Sequence, residues 1–373
     1  MQRIALSFVQ PGMILALDVF AEDGTIILSS ETKLSERMIS RLNAWNVISV
    51  YVKNPWIDLP QISELAQEEV RVKAREFVEE SFNAIQNADR LEVSPEEQEK
   101  LKELIQDVLR EPRAIINLAH IERHSQDIFA HSVNVALLAT ATAVSMGIEN
   151  QDDLYSIALG ALLHDIGKLM IPSDILARES SLNPEEADIY KEHSNWGFLI
   201  LSKVENMPLA ARIAKEHHEN YDGSGYSSRL VGKSIHAFSR IVAVAEVYES
   251  LYSEAAATKG ANSSVAYEAI TAGSGKLFDP DAARALLSRI PLYPVGTMVL
   301  LTNGFMGLVT EVNKSLPHRP KLQLLAHPDG STISPPMHLD LADFENLTVF
   351  IDRIADDSTI ACMIMESSPE QKI

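Results

Sequence analysis

Basic residues and cysteine are scarce in this chain of 373 residues. Lysine and arginine total 32 against 52 acidic residues, which leaves a formal net charge of -20 at pH 7. Such a charge repels polyanions and argues against general DNA binding, although a small anion could still bind where metal ions reverse the local field. The one cysteine, Cys362, cannot form an internal disulfide, which favours a reducing, cytoplasmic compartment.

Long apolar runs are also missing from the sequence. No window approaches the roughly 18 uncharged apolar residues that a membrane span requires. Pro11 and Asp18 interrupt the first apolar stretch, so the N-terminus is not expected to be an export signal. The chain is longer than one ordinary domain, and 46% of its residues are hydrophobic, which predicts two or three units with well-developed cores.

Local patterns divide the chain into four predicted segments. Residues 1–60 alternate short apolar runs with turn signals, which indicates a small α/β module. Residues 61–114 are helical and acidic, typical of a linker that offers a surface for homodimerisation or a signalling partner. Residues 115–290 show helical periodicity almost throughout, and residues 291–373 return to short β-like runs before a polar tail. The predicted fold class is mainly α: a helical core flanked by an N-terminal α/β module and a C-terminal β module.

Histidines and carboxylates recur at helix ends within the helical segment. His164 and Asp165 follow an apolar helical run, and Lys168 stands four residues after the histidine, so all three can face one site. Glu246 follows the apolar run 241–245, where a carboxylate needs a partner. The full set of candidate metal ligands is His131, His164, Asp165, His193, His217, His218 and Glu246.

This ligand set predicts a centre with more than one metal ion. Imidazoles and carboxylates without thiolates suit iron, manganese or zinc, and six or more groups are too many for one tetrahedral zinc. Two metals about 3.5–4 Å apart would share a bridging hydroxide as nucleophile and hold phosphoryl oxygens, as in phosphodiester hydrolysis. Asp165 has two oxygens and is the natural bridging ligand, while the Lys168 ammonium could steady a phosphate.

Each of these residues also has a purely structural interpretation. A single His-Asp pair is common by chance, and the adjacent His217 and His218 could simply favour the C-terminus of a helix. Taken singly, His131 or His193 is more often a satisfied, partly buried side chain than a ligand. Only the set as a whole favours metal binding, and the remaining histidines are assigned no role.

The ordered motifs resemble the HD-GYP family, a bacterial branch of the HD metal-dependent phosphohydrolases that hydrolyse cyclic di-GMP. The resemblance runs through residues 131–136, 162–168, 191–193, 217–219, 222–226, 240–245 and 278–280, which is nearly the whole helical segment. It implies that the metal ligands are the residues named above, with Glu246 in place of the usual aspartate. It also implies a third-metal ligand at Asp127, four residues before His131, for which an exposed helical acid is the alternative.

The resemblance implies a cytoplasmic cyclic di-GMP phosphodiesterase that opens its substrate to linear pGpG, with GMP as a further product left open. Two or three divalent ions, iron or manganese, are the implied cofactors, and the implied catalytic residues are Asp165 and Lys168. Substrate contacts are implied for Lys168, Gly225, Tyr226, Arg240 and Glu249.

Several positions depart from the family pattern. Ser227 stands where the namesake Gly-Tyr-Pro has proline, so the loop loses a fixed φ angle and is expected to be more mobile. Asn220 stands where a basic residue often follows His-His-Glu, and Ala255 stands where an arginine would hold a substrate phosphate. Glu249 replaces a second aspartate. Two alternatives therefore stay open: a weakly active or inactive cyclic di-GMP receptor, and an HD phosphohydrolase of another nucleotide.

Overall fold

A helical core is followed by an antiparallel β-sheet in the computed structural model of this chain, as the sequence predicts. The structure describes residues 2–20, 26–45, 47, 49–53, 74–84, 102, 128–259, 263–313, 315–356 and 358–361. None of the described helices combines the length and the apolar character needed to cross a membrane.

The first 53 residues form two small antiparallel ribbons and one helix. Strand β1 (Gln2–Ala5) pairs with β4 (Ser49–Val52), and β2 (Val19–Phe20) pairs with β3 (Ile26–Leu28). Helix α1 (Glu36–Ala44) begins after Ser35, whose side chain accepts a hydrogen bond from the Met38 amide and so caps the helix. The predicted α/β character of this part is confirmed.

Further helices follow among the described residues, and residues 358–361 near the C-terminus are helical as well. Residues 74–84 form α2, and then come α3 (Ile128–Ser145), α4 (Gln151–Leu162), α5 (Ser173–Leu176), α6 (Pro184–Lys191), α7 (His193–Leu201), α8 (Pro208–Glu216), α9 (Ala237–Lys259), α10 (Ser263–Gly273) and α11 (Pro280–Leu287). Short 3₁₀ turns lie at Ile166–Met170, Glu179–Ser181 and Gly232–Ser234. Asn183, Pro184 and Glu186 start α6 with a capping box.

Close packing between helices places the ends that carry the candidate ligands side by side. α3 packs on α4, α9 and α11, and α8 packs on α4 and α7. A Cβ atom on Gly160 of α4 would lie only 2.3 Å from Cδ1 of Ile213 in α8, so these two helices approach closely because the glycine has no side chain. As a result the imidazoles of His164 and His217, which follow α4 and α8, have ring centroids 4.9 Å apart.

A five-stranded antiparallel sheet forms the C-terminal part, in the order β8-β7-β6-β5-β9. Its strands are β5 (Met298–Leu301), β6 (Met306–Glu311), β7 (Lys321–Ala326), β8 (Thr332–Asp340) and β9 (Ile351–Ile354). The turns after β5 and β7 contain Gly304 and Gly330 at φ angles of 84° and 83°, which other residues rarely adopt. The predicted C-terminal β module is confirmed.

The two ends of the chain share one hydrophobic cluster. Leu15 and Val50 from the first 53 residues are buried in it together with Met298, Leu325 and Ile360 from the C-terminal part. Neither end therefore buries its apolar surface alone. Sequence patterns treat the two ends as separate modules, because local periodicity carries no information about pairing between residues so far apart.

A carboxylate in this shared cluster is expected to loosen both ends of the chain. Leu15 is fully buried, so Leu15→Asp places a charge without a partner in the cluster, at a cost of roughly 3 kcal/mol. Limited trypsin digestion followed by mass spectrometry should show faster cleavage within residues 2–53 and within 298–361, and unchanged cleavage within 128–290. Ile14→Asp, at the neighbouring position that is 36% exposed, is the control. Faster cleavage confined to residues 2–53 would contradict the shared cluster.

Candidate metal centre

Five candidate ligands converge around the carboxylate of Asp165, which is only 2% exposed. Its Oδ1 lies 3.5 Å from Nε2 of His193 and 3.9 Å from Nε2 of His217. Its Oδ2 lies 3.3 Å from Nε2 of His164 and 3.9 Å from Nε2 of His131. Each oxygen of one carboxylate therefore faces two imidazoles.

The potential ligand atoms form two groups that share Asp165. Those of Asp165, His193, His217 and His218 lie within 4.8 Å of one another, and so do those of His131, His164 and Asp165. Asp165 belongs to both groups, and a carboxylate has one oxygen to offer to each of two metal ions.

Three of the imidazoles are oriented by the same device, a main-chain carbonyl at the end of the preceding helix. Nδ1 of His164, His193 and His217 lies 2.6, 2.7 and 2.9 Å from the carbonyl oxygen of the residue three positions earlier. These carbonyls belong to the last turns of α4, α6 and α8, the part of a helix in which carbonyls lose their regular intrahelical amide partner. Because Nδ1 donates its hydrogen to the carbonyl, Nε2 keeps its lone pair and is aimed at Asp165.

A side chain holds the fourth imidazole instead. His131 lies in the first turns of α3, and its Nδ1 lies 2.5 Å from Oε2 of Glu249 on α9. Burial alone would lower the pKa of His131, but the carboxylate of Glu249 outweighs burial and raises the pKa to about 9. Binding of a cation at Nε2 would displace the second proton of this ring.

The protonation states of the other groups suit metal binding. Burial holds the pKa of His193, His217 and His218 below the ordinary histidine value, because a charged ring is disfavoured away from water. Burial would raise the pKa of Asp165, but the charges of Lys168 and the histidines outweigh it and hold the pKa well below its usual value. Neutral imidazoles and an ionised carboxylate are the forms that bind metals.

Two buried polar atoms at the centre have no hydrogen-bond partner within the part of the chain that the structure describes: Nε2 of His164 and Oδ1 of Asp165. Leaving such an atom unsatisfied costs about 1–3 kcal/mol. A divalent ion would satisfy both atoms, and nitrogen and carboxylate donors suit iron, manganese or zinc. The residues therefore fit a divalent metal centre.

Lys168 lies against the same carboxylate. Its Nζ is 2.8 Å from Oδ2 of Asp165, 3.9 Å from Oε1 of Glu179 and 5.4 Å from the ring centroid of Tyr190. Burial would lower the pKa of Lys168, but Asp165 outweighs it and raises the pKa, so the side chain stays charged. Its predicted contact with a phosphate stays a prediction.

Glu246 stands farther from the cluster than the sequence suggests. Among the described residues, its carboxylate belongs to neither of the two groups of potential ligand atoms, and its Oε1 accepts a hydrogen bond of 3.2 Å from the Ser250 hydroxyl. Burial raises the pKa of Glu246, and the charges of His131 and His164 oppose this rise. The ligand role of Glu246 stays a prediction.

The glycine-containing loop at residues 222–230 covers one side of the centre. The ring of Tyr226 stacks on the imidazole of His218, with centroids 4.7 Å apart and planes at 24°. Gly225 packs so tightly that a Cβ atom would lie 2.3 Å from the Asn220 amide nitrogen. Gly225 and Tyr226, the two loop residues predicted to contact the substrate, thus lie beside the candidate ligand His218.

Glu219 holds this loop in place. Its two carboxylate oxygens accept hydrogen bonds of 2.5 and 3.0 Å from the amides of Ser228 and Leu230. The predicted mobility caused by Ser227 therefore meets a restraint that the sequence analysis did not anticipate. The sequence does contain a hint of this restraint, because a carboxylate, Glu219, directly follows the histidine pair.

Arg240 and Glu249, which are also predicted to contact the substrate, have protein partners. Arg240 forms an ion pair with Asp279, the residue that caps α11. Glu249 binds His131, as described above, and its other oxygen accepts hydrogen bonds of 2.9 Å from the Asn134 amide and 3.0 Å from the Ser253 hydroxyl. Nε of Arg240 has no hydrogen-bond partner among the described residues, and the substrate contacts predicted for both side chains stay predictions.

Some predictions lie outside the described residues. Asp127, the predicted third-metal ligand, is among them, as is most of the predicted linker 61–114. The main chain of Ala255 lies in α9. The ligand role of Asp127 and the loss of a phosphate contact at Ala255 stay predictions.

Gly167 brings the candidate ligands Asp165 and His193 close together. This role is not evident from the sequence. A Cβ atom at this position would lie 1.9 Å from the carbonyl oxygen of His193 and 2.4 Å from the amide nitrogen of Gly197. The 3₁₀ turn after Asp165 therefore packs directly on the start of α7. This contact sets the distance between Asp165 and His193.

A cavity of about 230 Å³ opens beside the histidine pair. Apolar and aromatic side chains from α9 and the glycine-containing loop meet polar groups there. Its lining consists of His217, His218, Glu219, Asn220, Ser224, Gly225, Tyr226, Ala243, Val247 and Phe278.

Two family profiles match this chain. The HD domain matches residues 113–282, and the KOW domain associated with HD domain matches residues 298–363. A solved HDG"Y"P protein from Bdellovibrio bacteriovorus is similar in structure, with a TM-score of 0.53 and 18% sequence identity over 76% of this chain and 97% of that protein. At this level of identity the likeness shows a shared fold.

Several curated relatives match part of the chain. A cyclic di-GMP phosphodiesterase of Pseudomonas aeruginosa is 33% identical over 211 residues, which is 56% of this chain and 50% of the relative. The 3'3'-cGAMP-specific phosphodiesterase 2 of Vibrio cholerae is 35% identical over 177 residues, which is 46% of this chain and 34% of the relative. This chain spans about half the length of the first curated relatives it matches.

Metal binding is expected to raise the melting temperature of the protein. An ion that satisfies the buried atoms at Asp165 and is present at about 100 times its Kd stabilises the fold by ~2.7 kcal/mol. Differential scanning fluorimetry should show a higher Tm with Mn²⁺ than with a chelator, and Asp165→Asn should abolish the difference. His338→Gln, at an exposed histidine on β8, is the control that keeps it. Equal Tm values for the wild type with and without metal would contradict the centre.

Gly167→Ala is expected to weaken both the fold and the metal centre. The added methyl group meets main-chain atoms that cannot rotate away, and overpacking of this kind costs about 1–3 kcal/mol or more. The measured Tm and Mn²⁺ affinity should both fall. In the control Gly330→Ala the methyl group meets open space at a positive φ angle, so a small loss of stability and an unchanged affinity are expected. An unchanged affinity in Gly167→Ala would show that the close contact does not position His193.

Proposed function

We propose that the protein is a metal-dependent phosphodiesterase that opens cyclic di-GMP to linear pGpG, because the HD domain profile matches residues 113–282. Curated relatives at 33–35% identity that are named cyclic di-GMP phosphodiesterases support this proposal and the predicted HD-GYP resemblance. The observation that carries the proposal is the Asp165 carboxylate with two imidazole Nε2 atoms facing each of its oxygens.

Two neighbouring sets of side chains would hold two ions, with Asp165 in both. His193, His217 and His218 would hold one ion, and His131 and His164 the other. Iron or manganese at these positions would activate water and neutralise charge on the phosphoryl oxygens. The protein contributes the orientation of the imidazoles and a buried environment in which electrostatic interactions are strong.

Lys168 is the residue suited to steady the substrate phosphate. Its ammonium stays charged and lies 2.8 Å from Asp165, the carboxylate common to both ligand groups. A phosphate that approaches the ions also approaches this cation, whose charge favours the developing negative charge of the transition state.

The cavity beside His217 and His218 sets a limit on how the substrate enters. Sites for whole small molecules span about 300–1,000 Å³. At about 230 Å³ this cavity accommodates one part of a cyclic dinucleotide, with Tyr226 and Phe278 available to contact a base. The remainder of the substrate would lie outside the cavity.

A second candidate substrate is the mixed cyclic dinucleotide 3'3'-cGAMP. The relative from Vibrio cholerae that is named for this substrate matches the chain at 35% identity. Asn220 lines the cavity and stands where a basic residue often occurs, so recognition of the base in this chain need not follow the usual pattern.

Turnover of cyclic dinucleotides tests this function. Protein loaded with Mn²⁺ or Fe²⁺ is expected to convert cyclic di-GMP to pGpG, and chromatography measures the product. His193→Gln and Asp165→Asn should each lower the rate by roughly 10³-fold because the ions are lost or displaced. His338→Gln should keep the wild-type rate.

The same assay separates the alternatives. Equal residual turnover in the wild type and both site variants would contradict the enzyme. Faster turnover of 3'3'-cGAMP than of cyclic di-GMP would favour the second substrate. Calorimetric binding of cyclic di-GMP without turnover would identify a receptor.

A further inference from the structure

Helix α9 carries two carboxylates three residues apart, and only the second of them contacts a candidate metal ligand. Glu249 binds Nδ1 of His131, whereas Glu246 accepts a hydrogen bond from Ser250. We propose that Glu249 is a positioning residue: it fixes the tautomer and the direction of His131 so that Nε2 of this ring serves as a metal ligand. The inference rests on the metal centre of the proposed function.

The hydrogen bonds of Glu249 among the described residues all go to protein groups. Oε2 lies 2.5 Å from Nδ1 of His131, and Oε1 accepts hydrogen bonds from the Asn134 amide at 2.9 Å and from the Ser253 hydroxyl at 3.0 Å. The residue is 5% exposed. Three donors from two helices therefore surround one carboxylate, and each of them is a protein group.

His131 needs such a partner more than the other imidazoles do. His164, His193 and His217 use carbonyls in the last turn of a helix, whereas His131 lies near the start of α3. There the main-chain carbonyls accept hydrogen bonds from amides one turn later. A side chain from another helix must therefore hold Nδ1.

A carboxylate does more than a carbonyl could do at this position. The hydrogen bond from Nδ1 is charge-assisted, so it is shorter and stronger than one between neutral groups. Electron density pushed into the ring makes Nε2 a better donor to a metal, which is the general effect of a carboxylate behind a metal-bound imidazole. Because Glu249 and Ser253 lie on α9 while His131 and Asn134 lie on α3, the network also fixes this imidazole relative to both helices.

Metal titration of the apoprotein tests the role of Glu249 without any substrate. Wild-type protein is expected to bind two Mn²⁺ ions, measured by calorimetry and by electron paramagnetic resonance of free Mn²⁺. Glu249→Gln keeps the shape of the side chain but removes its charge, and it places an NH₂ donor against the donors of His131, Asn134 and Ser253. The affinity of the ion held by His131 should therefore fall about 10–100-fold, while that of the other ion is retained. Glu249→Asp keeps the charge on a shorter chain and should restore part of the affinity.

Asp279→Asn is the matched control for a merely structural effect. Asp279 is also a buried carboxylate that ties α9 to another helix through Arg240, and its other partners among the described residues are the amides of Asp281 and Ala282. This variant should lower the Tm and leave both Mn²⁺ affinities unchanged. In proteins labelled with ¹⁵N-histidine, the downfield Nδ1 proton of His131, assigned with His131→Gln, should shift upfield in Glu249→Gln and stay in place in Asp279→Asn.

Unchanged Mn²⁺ affinity in folded Glu249→Gln would overturn the inference, and so would an equal loss in Asp279→Asn. If Glu249→Gln does not fold, the double variant Asn134→Ala with Ser253→Ala removes two donors to the carboxylate and should lower the affinity of the same ion several-fold. An unchanged affinity there would overturn the inference as well. Two-ion binding without hydrolysis of any cyclic dinucleotide would contradict the proposed function alone.

Discussion

An imidazole presents one nitrogen to a metal only when the protein holds the other. In this chain the proton on Nδ1 of four histidines is bound by a fixed acceptor, and the four Nε2 atoms face the two oxygens of Asp165. Without these hydrogen bonds each ring could rotate or change tautomer, and the cluster would lose its common direction. The rest of the site depends on this constraint.

Helix ends supply three of the four acceptors. The last carbonyls of a helix have no amide partner within it, so an imidazole that follows the helix both satisfies a carbonyl and turns Nε2 away from it. The structural interpretation of His217 and His218, that they mark the end of a helix, and the functional interpretation, that they bind a metal, therefore describe one geometry. Close packing at Gly160 and Gly167 then brings these helix ends together around Asp165.

Sequence patterns were sufficient for the helical core, the C-terminal sheet and the set of histidines, because each depends on local periodicity or on motifs in a fixed order. They were insufficient for partners that meet across helices. His131 and Glu249 are 118 positions apart, and whether Glu246 or Glu249 reaches the imidazole depends on how α9 is rotated against α3. The same limit applies to the hydrophobic cluster that contains both Leu15 and Met298, and to the ion pair between Arg240 and Asp279.

Asp165 is proposed as the carboxylate common to two metal positions, and anomalous diffraction can locate both positions. Crystals of protein loaded with Mn²⁺, measured on both sides of the manganese absorption edge, should show two peaks in the anomalous difference map, one against each oxygen of Asp165. One peak should lie beside His193 and His217 and the other beside His131 and His164. A single peak, or peaks that do not contact Asp165, would contradict the account.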